Sequence, residues 1–146
     1  MSLKVTTLKK DSFEPFGKIL GAGETPDGEE KDWKFYVLVR EPDSPWRIGY
    51  YVPKIKKLAK LERHDSMESF EPVTGFCLLV VAGPDKPDEP VVFVLDKPVV
   101  LYKKIWHGIL SLSDVVEIKI TENLEVGTEF HRFRKPLEFR VIGGNQ

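Results

Sequence analysis

The amino-acid sequence predicts an all-β fold, in which short strands joined by Pro/Gly turns form a barrel or a sandwich. Two almost wholly apolar runs, 76–81 and 91–95, have the length and composition of strands that are covered on both faces. Two later stretches, 116–120 and 137–141, alternate apolar and charged residues, as strands with one solvated face do. About ten short strands of this kind favour a barrel or a sandwich over other architectures.

The N-terminal third carries the helical signal and two of the predicted connections. Asp11-Ser12-Phe13-Glu14 has capping-box spacing and is followed by Gly17, which predicts one or two short helical turns. Residues 21–32 are rich in Gly, Pro and Glu and are predicted to form an exposed loop. Residues 33–39 are rich in aromatic and β-branched side chains and predict a strand that ends in the turn 40–45.

The middle of the chain contains one ambiguous segment and one clear turn. Residues 54–61 fit either a strand or a helix, because their apolar residues also lie on one helical face. A strand is favoured, since Pro53 precedes the segment and a lone helix of about eight residues is marginal. The link 83–90 consists of turn residues and connects the two apolar strands. We find no internal repeat and no boundary, so residues 1–146 are predicted to form a single domain.

Composition and charge exclude several functions. The net charge is −1 with both signs interspersed, which gives no electrostatic footprint for nucleic acid or for an anionic membrane. No apolar run approaches the roughly 18 residues that a membrane span needs, and no signal peptide opens the chain. The one cysteine, Cys77, excludes an internal disulfide and suits a reducing compartment. We therefore predict a cytoplasmic protein that acts on a small molecule, with neither nucleic acid nor membrane as a partner.

Four residues form the constellation that could carry chemistry. Glu62 and His64 share one face of a predicted strand, and Glu68 follows His64 by four residues. His107 lies in a later strand-like stretch, and the inward residues of neighbouring barrel strands converge. Two imidazoles and two carboxylates are therefore expected to line one interior cavity.

Such a set is suited to two kinds of chemistry. Imidazole and carboxylate groups together can hold a divalent metal ion that keeps open positions for a substrate. Without a metal, the same groups can transfer protons, because burial and mutual interaction shift their pKa values. Taken singly, each residue also fits a packed histidine or an exposed glutamate, and only their joint spacing favours a site. A phosphate-binding loop, a His-Glu-x-x-His motif, a Cys-x-x-Cys motif and a nucleophile elbow are all absent from the sequence.

Several sequence blocks resemble a known family. They are Leu61-Glu62-Arg63-His64, Phe70-x-Pro72-x-x-Gly75, Tyr102 with Trp106-His107, and an N-terminal pattern from Leu3 to Ile19. Over nearly the whole chain these blocks resemble the ureidoglycolate lyase family, and the spacing from Glu62 to Gly75 resembles the first motif of the cupin superfamily. The resemblance implies a cupin double-stranded β-helix (a jelly-roll barrel), a homodimer, and the conversion of ureidoglycolate to glyoxylate and urea.

The resemblance also suggests roles for the four residues. The reaction needs one base and one acid, or a metal ion as Lewis acid. His107 or Glu62 would be the base, His64 the acid or a metal ligand, and Glu68 an orienting carboxylate or a further ligand. The candidate catalytic residues are thus His107, Glu62 and His64, and the candidate metal ligands are His64, Glu68 and His107.

The same blocks give candidate substrate-binding residues and three departures from the family, one of which is Glu68 at a position where the family more often has glutamine. Tyr50, Tyr102 and Trp106 are expected to bind the substrate. However, Tyr50 stands where the family usually has an arginine, and Gly108 stands where it has a second histidine.

Losing that arginine removes the expected partner of the substrate's carboxylate. Arg47 and Lys104 are candidates to replace it, and the sequence does not place either one in the pocket. Three hypotheses remain open at this point: a lyase on ureidoglycolate or a related small hydroxy acid, a metal-dependent cupin enzyme of another class, and a non-catalytic small-molecule-binding cupin.

Overall fold

The computed structural model describes residues 3–31, 33–35, 38–39 and 44–139 of the chain. Strands dominate this part of the chain, so the all-β prediction is confirmed. The helix of the described part has four residues, and no helix there is long and apolar enough to cross a membrane. The elements are β1 (Val5–Thr6), α1 (Lys10–Phe13), β2 (Gly17–Ile19), β3 (Gly28–Glu30), β4 (Trp33–Phe35), β5 (Trp46–Tyr51), β6 (Lys57–His64), β7 (Glu68–Thr74), β8 (Cys77–Ala82), β9 (Val91–Val94), β10 (Val99–Leu101), β11 (Trp106–Ser111), β12 (Glu117–Asn123) and β13 (Thr128–Glu138).

Strands β5 to β12 have the topology of a jelly roll. The first sheet has the order β1-β9-β8-β11-β6-β13, and the second has the order β2-β10-β7-β12-β5. The antiparallel pairs are nested around the β8–β9 hairpin: β7 pairs with β10, β6 with β11 and β5 with β12. Folding such a long hairpin over itself gives two Greek keys and two facing sheets, the arrangement found in cupins. The predicted cupin-type barrel is therefore confirmed.

The centre of the first sheet is buried on both of its faces. Leu79 and Val81 of β8 belong to the core between the two sheets, whereas Leu78 and Val80 belong to a second apolar cluster on the outer face. Partly buried residues from the end of β13 and just beyond it pack against that outer cluster. This arrangement explains why β8 is a continuous apolar run and not an alternating one. Cys77 lies in the inner core, where burial raises the pKa of its thiol to about 11.

The N-terminal segment is anchored by aromatic rings. Phe13 of α1 is fully buried, and its ring lies 5.1 Å from that of Phe93 and 6.2 Å from that of Phe16 in edge-to-face geometry. Behind these rings β2 approaches β10 so closely that a Cβ at Gly17 would lie 1.9 Å from the carbonyl oxygen of Val100. One helical turn forms where one or two were predicted, but its N-cap is Lys9, which makes no side-chain capping hydrogen bond, and not Asp11.

Several local predictions have different outcomes. The segment 54–61 is confirmed as part of a strand, β6. The prediction of a loop throughout 21–32 is wrong at Gly28–Glu30, because these residues pair with β4 and so satisfy their backbone groups. Of the strand predicted over 33–39, residues 33–35 form β4, but the prediction is wrong at 38–39, which belong to no strand. Most of the turn predicted at 40–45 lies outside the described residues, as does the end of the strand predicted over 137–141.

Candidate active site

A cavity of about 660 Å³ is lined by strands of both sheets. It contains all four residues of the predicted constellation, contributed by β6, β7 and β11. It also contains Arg47 of β5, a candidate from the sequence that could not be placed there, and Glu122 of β12, which the sequence did not single out. Together with the four predicted residues, these two give a group of six polar side chains in the cavity: Arg47, Glu62, His64, Glu68, His107 and Glu122.

His107 is held in a defined orientation inside the barrel. The side chain is 5% exposed, and Nδ1 lies 3.0 Å from the carbonyl oxygen of Ile105. A carbonyl oxygen can only accept, so Nδ1 carries a hydrogen and donates it. Nε2 therefore faces the carboxylates, at 3.0 Å from Glu68 Oε1 and 3.7 Å from Glu62 Oε1.

His64 has the same orientation relative to the carboxylates. Its Nδ1 lies 3.3 Å from the carbonyl oxygen of Gly127 and 3.1 Å from Oγ1 of Thr128, at the start of β13. Its Nε2 lies 3.5 Å from Glu68 Oε2 and 3.9 Å from Glu62 Oε1. The two imidazole rings are 5.1 Å apart between centroids, so both Nε2 atoms point into one small volume between the two carboxylates.

Glu68 and His107 form a buried pair whose side chains shift each other's pKa. Burial alone would raise the pKa of Glu68, but its contact with His107 and the nearby charge of His64 hold that pKa below its usual value. Burial alone would lower the pKa of His107, but Glu68, the Ile105 carbonyl and the charge of Glu62 raise it above its usual value. Both shifts favour an imidazolium beside a carboxylate.

The geometry of this pair leaves two polar atoms without a hydrogen bond. His107 Nε2 and Glu68 Oε1 are buried and close, but their mutual orientation does not satisfy a hydrogen bond, and neither atom has another hydrogen-bond partner within the described residues. Buried polar atoms without partners are uncommon and often mark a site for a ligand or an ion.

The two charged residues added by the structure complete a row across the second sheet. Glu122 of β12 is paired in register with Arg47 of β5 on one side and with Glu68 of β7 on the other. Arg47 donates from Nε at 3.0 Å and from Nη2 at 2.9 Å to Glu122 Oε1. Burial, together with the hydrogen bond and the charge of Glu68, raises the pKa of Glu122 to about 7 against the opposing effect of Arg47.

The predicted substrate-binding residues are not among the described residues that line this cavity. Tyr50 lies on the outer face of β5, where a hydrogen bond to Glu117 raises the pKa of its hydroxyl. Trp106 packs in the outer apolar cluster and donates from Nε1 to the Pro84 carbonyl, whereas Tyr102 packs against the inner core. Trp106 is separated from His107 because successive residues of a strand point to opposite faces.

Two further positions from the family resemblance can be placed. A Cβ at Gly108 would lie 2.9 Å from Leu58 Cδ2, so a histidine there would require the leucine to move. Lys104 binds Glu129 at 3.2 Å and does not line the described cavity, whereas Arg47 does.

The site residues fit a divalent metal ion. Ligand atoms of Glu62, His64 and His107 lie within 4.8 Å of one another, as do those of His64, Glu68 and Glu122. Each histidine has Nδ1 next to a backbone carbonyl and Nε2 turned to the carboxylates, the arrangement that orients metal-binding imidazoles. Within the first group, Nε2 of His107 has no hydrogen-bond partner among the described residues and is therefore available to such an ion.

Comparison with known proteins gives one relative over most of the chain. The chain is 29% identical over 156 aligned residues to Ureidoglycolate lyase 2 of Rhizobium meliloti (strain 1021), with 93% of this chain and 96% of that protein covered. No protein-family profile matches the chain. Among solved structures, a dTDP sugar isomerase from Desulfovibrio desulfuricans G20 aligns with a TM-score of 0.44 and 14% identity, over 73% of this chain and 78% of that chain.

Proposed function

We propose that the protein is a lyase that splits ureidoglycolate, or a closely related small hydroxy acid, into an aldehyde acid and urea or a urea-like product. The observation that carries the proposal is the buried His107–Glu68 pair, which lies beside Glu62 in the same cavity. This pair and Glu62 provide an acid and a base within reach of one small substrate. The similarity to a protein named Ureidoglycolate lyase 2 supports the choice of substrate.

The reaction requires two proton movements and one bond cleavage. Ureidoglycolate carries a hydroxyl group and a ureido nitrogen on the same carbon. Removal of the hydroxyl proton lets the C–O bond become a carbonyl while the C–N bond breaks. The ureido nitrogen leaves with the electron pair of that bond and takes up a proton, so the products are glyoxylate and urea.

The raised pKa of His107 suits it to donate the proton to the leaving nitrogen. Glu62 is suited to act as the base that removes the hydroxyl proton, because its side chain is 43% exposed and so reaches both the cavity and solvent. Glu68 stabilises the charged form of His107 through Nε2, and the Ile105 carbonyl orients the ring through Nδ1. One acid and one base of this kind each contribute about 10²–10⁴-fold to a rate.

A metal-dependent form of the same site is the second candidate, favoured by the unpaired Nε2 atom of His107. A divalent ion held by His64, His107, Glu62 and Glu68 would act as a Lewis acid on the substrate's oxygen. The two candidates differ at His107, because its Nε2 carries either a proton or a lone pair for the ion.

Metal binding distinguishes these candidates. If the ion is part of the site, titration of the purified protein with Zn²⁺ or Mn²⁺ is expected to show one bound equivalent. H64A and H107A would then each bind the ion more weakly than the wild-type protein. The loss should exceed the about 10–100-fold in metal affinity that follows removal of an outer-sphere partner, because each variant removes a direct ligand. Calorimetry and elemental analysis measure this, with H131A as the control, because His131 pairs with Asp88 outside the cavity. Failure of the wild-type protein to bind either ion would exclude the metal-dependent form.

The proposed reaction is tested by product analysis. The wild-type protein is expected to release glyoxylate from ureidoglycolate, measured by a coupled dehydrogenase assay, with equimolar urea. Because the lyase reaction cleaves only the C–N bond to the hydroxylated carbon, no ammonium should accompany the urea. Release of ammonium in place of urea would indicate a hydrolase, and no turnover with or without added divalent ions would overturn the proposal. The homodimer and the cytoplasmic location stay predictions.

A further inference from the structure

We propose that Arg47 binds the carboxylate of the substrate, and that Glu122 holds the guanidinium in place when no substrate is bound. This inference rests on the proposed function, since it concerns recognition of an α-hydroxy carboxylate in the same cavity. It assigns the recognition to a residue on β5, next to the strand that carries Glu122.

The strand register brings Arg47 to the site. Arg47 is opposite Glu122, and Glu122 is opposite Glu68, so the three side chains form one row across β5, β12 and β7. Tyr51 has the same parity on β5 as Arg47 and also lines the cavity. Tyr50, which has the opposite parity, lies on the outer face of the sheet and makes its hydrogen bond there.

The two described lysines that line the cavity have partners outside the group of carboxylates around the histidines. Lys57 Nζ lies 3.7 Å from Glu138 and its side chain is 70% exposed, while Lys60 Nζ lies over the ring of Phe130 at 4.2 Å. In contrast, the partner of Arg47 is itself within ligand distance of His64 and Glu68. Among the described residues that line the cavity, Arg47 is the one arginine.

Arg47 can exchange its contact with Glu122 for a two-bond contact with a substrate carboxylate. Nε and Nη2 both donate to the same oxygen, Oε1 of Glu122, so the pair is not the two-bond fork in which each carboxylate oxygen accepts one hydrogen. The Arg47 side chain is 50% exposed, so a small ligand can reach it. A substrate carboxylate that presents both of its oxygens would form the fork that the resident carboxylate does not.

Three variants test the assignment on the full-length protein. R47Q is expected to raise the KM for ureidoglycolate by about tenfold or more with a smaller change in kcat, because it removes a charge-assisted contact made before and during the reaction. R47K should recover part of the loss, since it restores the charge without the fork. K119Q is the matched control: Lys119 also lies on the second sheet and pairs with Glu71, but it is not among the described lining residues.

Glu122 provides a test that a purely structural ion pair would fail. If Arg47 binds substrate, E122Q should lower the KM or leave it unchanged, because the substrate no longer displaces a charged partner. If the pair serves only to hold β5 against β12, R47Q and E122Q should have the same effect on KM and on the melting temperature. Equal effects of the two variants would overturn the inference.

A binding measurement keeps this test separate from the proposed reaction. Wild-type protein is expected to bind glycolate at least about tenfold more tightly than its neutral amide, glycolamide, and R47Q should lose that preference. If ureidoglycolate is not turned over but the preference is present and depends on Arg47, the lyase proposal fails and the carboxylate-binding role stands. If turnover is normal and R47Q has an unchanged KM, the assignment of Arg47 fails alone.

Discussion

Replacing His107 by alanine is expected to reduce the release of glyoxylate from ureidoglycolate by about 10²–10⁴-fold. The substitution removes the buried imidazole, whose Nε2 lies 3.0 Å from Glu68 and 3.7 Å from Glu62. In the proton-transfer form it removes the acid, and in the metal-dependent form it removes a ligand, so both forms of the site predict the loss. The measurement is kcat/KM in the coupled assay, with circular dichroism to verify that the variant is folded.

The chain offers a matched control for this experiment. His131 is the third histidine of the sequence, and its Nε2 lies 2.8 Å from Asp88, away from the cavity. H131A should keep the activity of the wild-type protein within about twofold, since losing a surface ion pair costs about 0–1 kcal/mol. If H107A is folded and retains most of the activity, His107 has no catalytic role and the proposed site is wrong.

Replacing Phe93 by alanine is expected to destabilise the fold by about 3–5 kcal/mol. Phe93 has no exposed surface, and its ring packs edge-to-face on Phe13 at 5.1 Å and on Phe16 at 5.9 Å. The substitution leaves a cavity in the inner core and removes the ring contacts that hold the N-terminal segment to the barrel. Chemical denaturation measures the free energy of unfolding, and the midpoint should fall markedly at an unchanged slope.

F76A is the control for this prediction. Phe76 is 73% exposed, so its replacement should change the free energy of unfolding by no more than about 0.5 kcal/mol. If the two variants are equally stable, α1 and its following turn do not pack on β9 as described.

The four residues predicted from spacing meet in the structure because the alternation of side chains within a strand can be read from the local sequence. Glu62 and His64 alternate along β6 and therefore share a face, and barrel closure brings that face towards the start of β7, where Glu68 lies. His107 is joined to this group by the pairing of β11 with β6, in which His107 is opposite Glu62. The apolar runs also located β8 and β9, because burial on both faces leaves a clear compositional signal.

Arg47 and Glu122 illustrate what the sequence could not specify. Their meeting depends on the register between β5 and β12, which is set by the whole sheet and leaves no local pattern. One signal was available for Glu122: it continues the alternation of the inward residues Ile118 and Ile120. For Arg47 the sequence offered only its charge, which it shares with many surface residues.

The same alternation explains why Trp106 does not lie with its neighbour His107. Adjacent positions of β11 face opposite sides of the sheet. Because His107 faces the cavity, Trp106 faces the outer cluster. Strand parity is thus a better guide to site membership in a barrel than adjacency within a motif.

The position of β6 between β11 and β13 also has a consequence for how the protein folds. His64 depends on Gly127 and Thr128, so the final arrangement of its imidazole waits for residues far along the chain. Contacts of such large sequence separation slow folding, because loop-closure entropy is lost before they form. On the ribosome, β6 remains an unpaired edge until β11 and β13 have been synthesised, which leaves it open to pairing with other chains. Chaperone dependence and aggregation of nascent chains should therefore concentrate on this strand, and the site is complete only after β13 has been synthesised.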